Sequence, residues 1–244
     1  MKFCLFTYIR NIVEKITGNG KFQHSKYNPN YSYSQCGEDI IVNRIIGRLK
    51  IPNPTYLDIG ASHPIQLNNT YKFYEQGTTG VLVEPEPTLF CGLRKVRPKD
   101  TILNIGIGID EREYADFYIM TNQFLSTFSK ESAENIMGYG KNKIEKVIQI
   151  PLANINTIIA KYFHPCPNFI SIDVEGLDFE ILKKLNFSRY TPEVFCLETI
   201  SYTENNTEQK ITEIIDFMVS HGYMVYGDTY INTIFVDKTK WRNR

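Results

Sequence analysis

Two short apolar runs, each ending on an acid at a turn, constrain this chain most. The first is Tyr56-Leu57-Asp58-Ile59-Gly60-Ala61-Ser62 and the second is Val81-Leu82-Val83-Glu84-Pro85. Runs of this kind predict strands buried on both faces of a parallel sheet. Gly60 permits a tight turn and close backbone approach to a ligand. An acid at the tip of the second strand can accept hydrogen bonds from both hydroxyls of a ribose. Asp58 and Glu84 therefore mark a nucleoside-cofactor site at the carboxyl edge of the sheet.

The pattern around them repeats. Helical periodicity from Ser34 to Leu49 stops at Pro52 and Pro54. Strands are then expected at 56–59, 80–84 and 101–105, with helices at 69–76 and 87–96 between them. This βαβαβ alternation with short connections means a parallel sheet covered by helices. From Ala115 to Pro151 the periodicity weakens, although Phe117 to Met120 could form a strand. The segment reads as an insertion over the carboxyl edge, where α/β enzymes build substrate sites. The sheet resumes with strands at 169–172 and 193–198, helices at 177–185 and 208–221, and a final pair at 223–227 and 231–236. That pair is separated by Asp228-Thr229-Tyr230, a hairpin-length gap.

Composition narrows the function. Lys plus Arg and Asp plus Glu both number 27, so the net charge is zero. A dominant nucleic-acid footprint needs a basic surplus that this chain lacks. The five cysteines are scattered with no C-x-x-C pair, which argues against a disulfide framework or structural zinc and for a reducing, cytoplasmic setting. No apolar run reaches the roughly 18 residues of a membrane span. Phe3, Phe6, Ile9, Val13 and Ile16 recur at helical spacing, with Lys2, Arg10, Glu14 and Lys15 between them. Residues 1–33 are thus expected to form an amphipathic helix and a polar linker, ahead of a domain over 34–244. The helix either covers an apolar surface of the protein, including a homo-oligomer contact, or lies on a membrane surface.

The turn after the first strand is only partly glycine-rich. Ser62 and His63 stand where a dinucleotide fingerprint needs glycines, so a pyrophosphate would sit badly against this backbone. A cofactor without phosphates, such as S-adenosylmethionine, fits better. For a lone Asp-x-Gly match, a strand end with a helix cap is the commoner explanation. Glu84 at the end of the next strand shifts the balance toward function. A second acidic cluster, Asp173-Val174-Glu175-Gly176, follows the strand Phe169-Ile170-Ser171-Ile172, and Glu198 ends Val194-Phe195-Cys196-Leu197. Acids at adjacent strand ends can bind a divalent cation or act as a base. Glu175 reads equally as a cap for the following helix.

Taken together, Asp58-Ile59-Gly60-Ala61, Val83-Glu84-Pro85-Glu86-Pro87, Ile172-Asp173-Val174-Glu175-Gly176 and Cys196-Leu197-Glu198-Thr199 resemble the FkbM family of S-adenosylmethionine-dependent methyltransferases. Ser34-Gln35-Cys36-Gly37-Glu38-Asp39 resembles a lead-in motif of many members. The resemblance covers about residues 34–236. It implies a class I, Rossmann-like methyltransferase fold, with a mostly parallel sheet closed by an antiparallel C-terminal hairpin strand and, here, an N-terminal helical extension. It also implies O-methylation, often of sugars, and surface or capsular polysaccharide precursors as a frequent acceptor class. By position, Asp58, Gly60 and Ala61 line the methionine side with Ser62 in the same loop, and Glu84 takes the ribose. Asn104 borders the adenine, and Gln35, Asp39 and Thr70 close the site from above. Many members carry Asn and Gly where this chain has Ser62 and Pro64.

These residues predict transfer of a methyl group to a hydroxyl of a sugar or sugar nucleotide. An alcohol is a poor nucleophile, so a base or metal must take or weaken its proton. The candidate catalytic residues are Asp173, Glu175 and His63, with His63 and Glu175 as the candidate bases. Asp173 and Glu198 are the candidate ligands for magnesium or manganese. An NAD(P)-dependent oxidoreductase is a competing reading that lacks the diphosphate glycines. A non-catalytic binding protein on a degenerate methyltransferase fold is another, and the intact acids weigh against it.

Overall fold

A computed structural model describes residues 31–201 and 207–244. The helix expected over residues 1–17 and most of the linker lie outside the described residues.

The first described helix, α1 (Glu38–Arg48), leads into the strand β1 (Tyr56–Ile59). There follow α2 (Tyr71–Glu75), β2 (Gly80–Val83), α3 (Pro87–Val96) and β3 (Thr101–Leu103). The chain then leaves the main sheet through β4 (Gly106–Ile107), β5 (Tyr114–Met120), α4 (Lys130–Gly138) and β6 (Ile144–Ala153). It returns through α5 (Ile155–Tyr162), β7 (Phe169–Ile172), α6 (Asp178–Lys184) and β8 (Val194–Glu198). It ends with α7 (Thr212–Ser220), β9 (Tyr223–Asp228), β10 (Asn232–Asp237) and α8 (Lys238–Arg242).

Seven strands form the main sheet in the order β3-β2-β1-β7-β8-β10-β9. The first five are parallel, and β10 pairs antiparallel with both β8 and β9. All four residues of β1 and of β7 are buried, as strands covered on both faces must be. Side chains alternate between two cores. Leu57, Ile59, Val81, Val83, Ile170, Ile172, Phe195 and Leu197 face a core shared with residues of α5, α6 and α7. Tyr56, Leu82, Phe169, Val194 and Cys196 face the other, with Val42, Ile45 and Ile46 of α1, Phe73 of α2 and Leu93 of α3.

The strand expected over 101–105 breaks after Leu103. Gly106 and Ile107 instead pair with β6 in a second sheet of order β4-β6-β5. The weakly patterned segment 115–151 is structured: β5 and β6 form a long antiparallel hairpin, with α4 between them. Ser129, the N-cap of α4, accepts from the amide of Ser132.

Alternation places Asp58 on the α1–α3 side, where it is buried among polar partners. Thr70 Oγ1 donates to Asp58 Oδ2 at 2.6 Å. Arg97, fully buried at the end of α3, donates to Thr70 Oγ1 and the Tyr56 hydroxyl, each at 3.1 Å. It also donates to Asn68 Oδ1 at 3.0 Å and to Asp100 Oδ2 at 2.8 Å. The rings of Tyr56, Tyr71 and Tyr74 lie within 6.0 Å of its guanidinium carbon. Asn68 in turn donates to the carbonyls of Ala61 and His63. The turn after β1 is therefore held from behind by a buried cation.

Removing one partner of a buried ion pair leaves the other charge unpaired, at a cost of about 3–5 kcal/mol. Arg97→Met should cost that much in a urea titration. Arg97→Lys should recover only part, because an ammonium cannot reproduce the planar fork. A loss for Arg97→Met near that of an exposed charge, about 0.5 kcal/mol, would show that the network is dispensable.

Candidate active site

The carboxyl ends of β1, β2 and β7 are laced together by the backbone. Gly60 and Ala61 donate to the Val83 carbonyl, and Asp173 donates to the Ile59 carbonyl. Gly60 has a φ of 82°, and a Cβ there would fall 1.8 Å from the Asp173 carbonyl oxygen. Only glycine allows this turn to pass so close to the tip of β7. Ser62, also left-handed with φ 54°, donates its amide to Glu84 Oε2 at 2.7 Å. The amide of Glu86 donates to Glu84 Oε1 at 2.8 Å. The Glu84 carboxylate is thus fixed by two amides at the tip of β2.

These tips border a cavity of about 500 Å³. Gln35, Gly60, Ser62, Glu84, Asp173, Glu175 and Glu198, all singled out from the sequence, line it. The other candidates stand behind the wall. Asp58 and Thr70 bind one another, and Ala61 gives its carbonyl to Asn68. Asn104 donates from Nδ2 to the carbonyls of Glu84 and Pro85, which ties β3 to the acidic turn. Asp39 accepts from the amides of Tyr33 and Ile40 and the hydroxyls of Ser32 and Ser34, which organises the lead-in turn.

His63 Nδ1 accepts from the amides of Ile65 and Gln66 at 3.2 and 2.8 Å. The neutral ring then carries its proton on Nε2 and has no lone pair there to act as a base. The geometry gives His63 the work of capping its own turn.

Several contributors were not singled out from the sequence. Buried Glu38 accepts from the Cys36 amide, the Thr229 hydroxyl and Asn232 Nδ2, which binds the lead-in turn to the β9–β10 hairpin. Its position beside Asp39 in the lead-in motif was the available signal. Asn68 and Arg97 act from outside any motif. The insertion supplies Phe117, Gln123, Phe124 and Phe128 to the cavity wall. Thr127 Oγ1 donates to the Glu175 carbonyl at 3.0 Å, so the insertion is anchored to the acidic turn after β7.

The acids of this edge are strongly perturbed. Burial pushes the Glu84 carboxyl up to about 7, against the opposing pull of the amides of Glu86 and Ser62. Burial, then the nearby charge of Asp178, pushes Asp173 up to about 7. Asp178 rises to about 6 through burial, restrained by amides of its own turn. Burial and then the neighbouring Asp173 hold Glu175 and Glu198 well above the ordinary carboxylate range.

Asp173 and Glu198 end neighbouring strands, as a shared metal would require. Among the described residues, however, no group of three or more His, Cys, Asp or Glu side chains is arranged to hold a metal ion. Asp178, a further acid beside them, is turned onto the amides of Val174 and Gly176. The donor set does not fit the expected magnesium or manganese. Burial and mutual repulsion raise the pKa values of Asp173, Glu175 and Glu198, so these acids favour their protonated forms.

Among the described residues no helix is long and apolar enough to cross a membrane. No curated protein matches the chain. Among solved structures, a TehB-like S-adenosylmethionine-dependent methyltransferase from Corynebacterium glutamicum aligns over 95% of this chain and 96% of its own, at 9% identity and TM-score 0.40. Magnesium protoporphyrin IX methyltransferase from Synechocystis, with bound S-adenosylmethionine, covers 92% of this chain and 94% of its own, at 8% identity and TM-score 0.41. Residues 58–225, well over half of the sequence, match the family described as "Methyltransferase FkbM domain". The chain belongs to the FkbM methyltransferase family.

Proposed function

We propose that this methyltransferase methylates a hydroxyl of a sugar in the cytoplasm, within the synthesis of a surface polysaccharide. The observation that carries the reading is the opposition of two acidic positions across one cavity. Glu84 stands on one side, fixed by two amides, and Asp173, Glu175 and Glu198 stand on the other.

The residues suit S-adenosylmethionine. Glu84 keeps lone pairs for ribose hydroxyls. Gly60 allows close backbone approach, and Ser62 has already spent its amide on Glu84, so this turn offers little to a diphosphate. When bound, the cofactor supplies an electrophilic methyl group on a sulfonium cation. A cation also suits an edge crowded with carboxyls, because it lowers their cost of ionising. Asp173, its pKa raised by burial and by the neighbouring Asp178 charge, can take the proton of an acceptor hydroxyl when it is ionised. Glu175 provides a second carboxyl beside it. The insertion adds Phe117, Phe124 and Phe128 to the wall of this cavity, an apolar surface beside the acids.

S-adenosylhomocysteine should bind and raise the melting temperature. Glu84→Gln should weaken it by about 1.5–3 kcal/mol, roughly ten- to hundredfold, through loss of charge-assisted bonds to the ribose. Calorimetric titration checks this, and equal affinity in a folded Glu84→Gln protein removes Glu84 from the ribose. Methyl incorporation from labelled cofactor into a panel of sugars, read by mass spectrometry, tests the acceptor class.

The ligand-free protein should lose stability as pH rises. Glu84 and Asp173 have folded values near 7, against 4.5 and 3.8 for the free groups. The folded chain thus binds more protons than the unfolded chain between about pH 4 and pH 7, and stability falls across that window. Melting temperature should therefore drop from pH 5 to pH 7, and the double variant Glu84→Gln/Asp173→Asn should make the drop shallower, the rest coming from Glu175, Asp178 and Glu198. A profile rising over that range contradicts the assignment. S-adenosylmethionine should gain affinity relative to S-adenosylhomocysteine over the same rise, because only the former carries a sulfonium cation for an ionised acid of this edge to face.

A further inference from the structure

A second cavity of about 230 Å³ adjoins the first. The two share Glu175, Glu198, Ile200 and Ser201 as a common wall. Beyond that wall the second cavity is bounded by Ser132, Asn135 and Ile136 of α4, by Phe179 of α6, and by Ile214 of α7. It lies on the far side of the acidic turn from Glu84, and its outer wall comes from the insertion. The Glu175 and Glu198 carboxyls have no hydrogen-bond partner among the described residues, so their bonding capacity is open to a ligand. Ser132, Asn135, Asp178 and Ser201 add polar groups to the lining, and apolar side chains make up most of the rest.

The charge of these walls is one-sided. Among the described residues that line either cavity there is no Lys, Arg or His, while Glu84, Asp173, Glu175, Asp178, Glu198 and Glu208 are present. A phosphate buried without a cation or a free set of amides is strongly disfavoured. The helix starts that could supply amides are already filled. Glu86 caps α3 through the Leu89 amide, Ser129 caps α4, and Asp178 accepts from the amides of Val174 and Gly176 before α6. The start of α7 has no side-chain cap, but it brings Ile211 and Ile214 to the cavity and carries Glu213 in its first turn. The cavity mouth is apolar and open: Leu67, Phe124 and Tyr230 line it and are each more than 40% exposed.

We propose that the acceptor is an uncharged, phosphate-free glycoside whose reacting ring enters the second cavity and places its hydroxyl at Glu175 and Glu198. The inference rests on the methyl-transfer function above and narrows its substrate class. Protonated carboxyls donate to sugar oxygens and ionised ones accept from sugar hydroxyls, so the pair serves a polyol in either state. The exposed apolar rim meets the nonpolar face of the rest of the glycoside. A nucleoside diphosphate sugar instead brings its phosphates against six acids.

The test uses the full chain loaded with S-adenosylhomocysteine, so that cofactor binding is read first and separately. Matched probes are then titrated by calorimetry: methyl hexosides and short neutral oligosaccharides, the corresponding hexose 1-phosphates, and the nucleoside diphosphate hexoses. Turnover of the same probes is measured with labelled S-adenosylmethionine. Neutral probes should bind and react at least about tenfold better than their phosphorylated counterparts, a difference of 1.4 kcal/mol. Asn135→Arg should reverse that order while leaving S-adenosylhomocysteine affinity unchanged. A preference for a phosphorylated probe overturns the inference, as does binding of no glycoside to a protein that still binds S-adenosylhomocysteine. Failure to bind S-adenosylhomocysteine at all instead counts against the function itself.

Discussion

A single buried guanidinium, Arg97, holds the arrangement that the site depends on. It takes its counter-charge from Asp100 and passes hydrogen bonds through Thr70 to Asp58 and through Asn68 to the turn at Ala61 and His63. A buried charge is costly unless every donor is used, and here four side chains and three aromatic rings answer it. The turn is consequently rigid on the side away from the cavity. Gly60 can press against the Asp173 carbonyl and Ser62 can present its amide to Glu84 without either being held by ligand.

The two halves of the site differ in how their charge is managed. Glu84 is stabilised by backbone amides that do not change with pH. Asp173, Glu175, Asp178 and Glu198 face one another, and only Asp178 has amide partners. That crowd is most comfortable with protons or a cation nearby. An ion pair at the protein surface, such as Arg112 with Asp110, is screened by solvent and adds little. The perturbed acids differ because they are buried together at the carboxyl edge of the sheet.

Much of this was legible in the chain. Strand tips ending on acids, helices of expected length and the terminal hairpin follow from apolar runs and turn residues. The Rossmann-like methyltransferase fold follows from their order and from family membership. The alternation of Leu57, Asp58 and Ile59 also carried the information that Asp58 faces away from Ile59 and toward Thr70. The insertion was harder to read. In Lys130–Gly138 charged residues surround only Ala133 and Ile136 as buried positions, and β6 is mostly half-exposed, so neither periodicity stands out. Ser129 with Ser132 was the one local hint of a helix start. Arg97 was invisible because a buried cation is specified by partners scattered from Tyr56 to Asp100, a long-range fact with no local spacing.

The insertion leaves the main sheet after its edge strand β3 and re-enters at α5, and its own hairpin is bonded mostly to itself. Among the described residues it meets the acidic turn after β7 through Thr127, bonded to the Glu175 carbonyl, and Ser132, against Gly176. One contiguous stretch of chain thus supplies one wall of both cavities, while Gly60, Ser62, Glu84 and Asp173 belong to the tips of the sheet. On the proposed function, exchange of that stretch by recombination would alter the acceptor side of the cavity and leave the strand tips untouched.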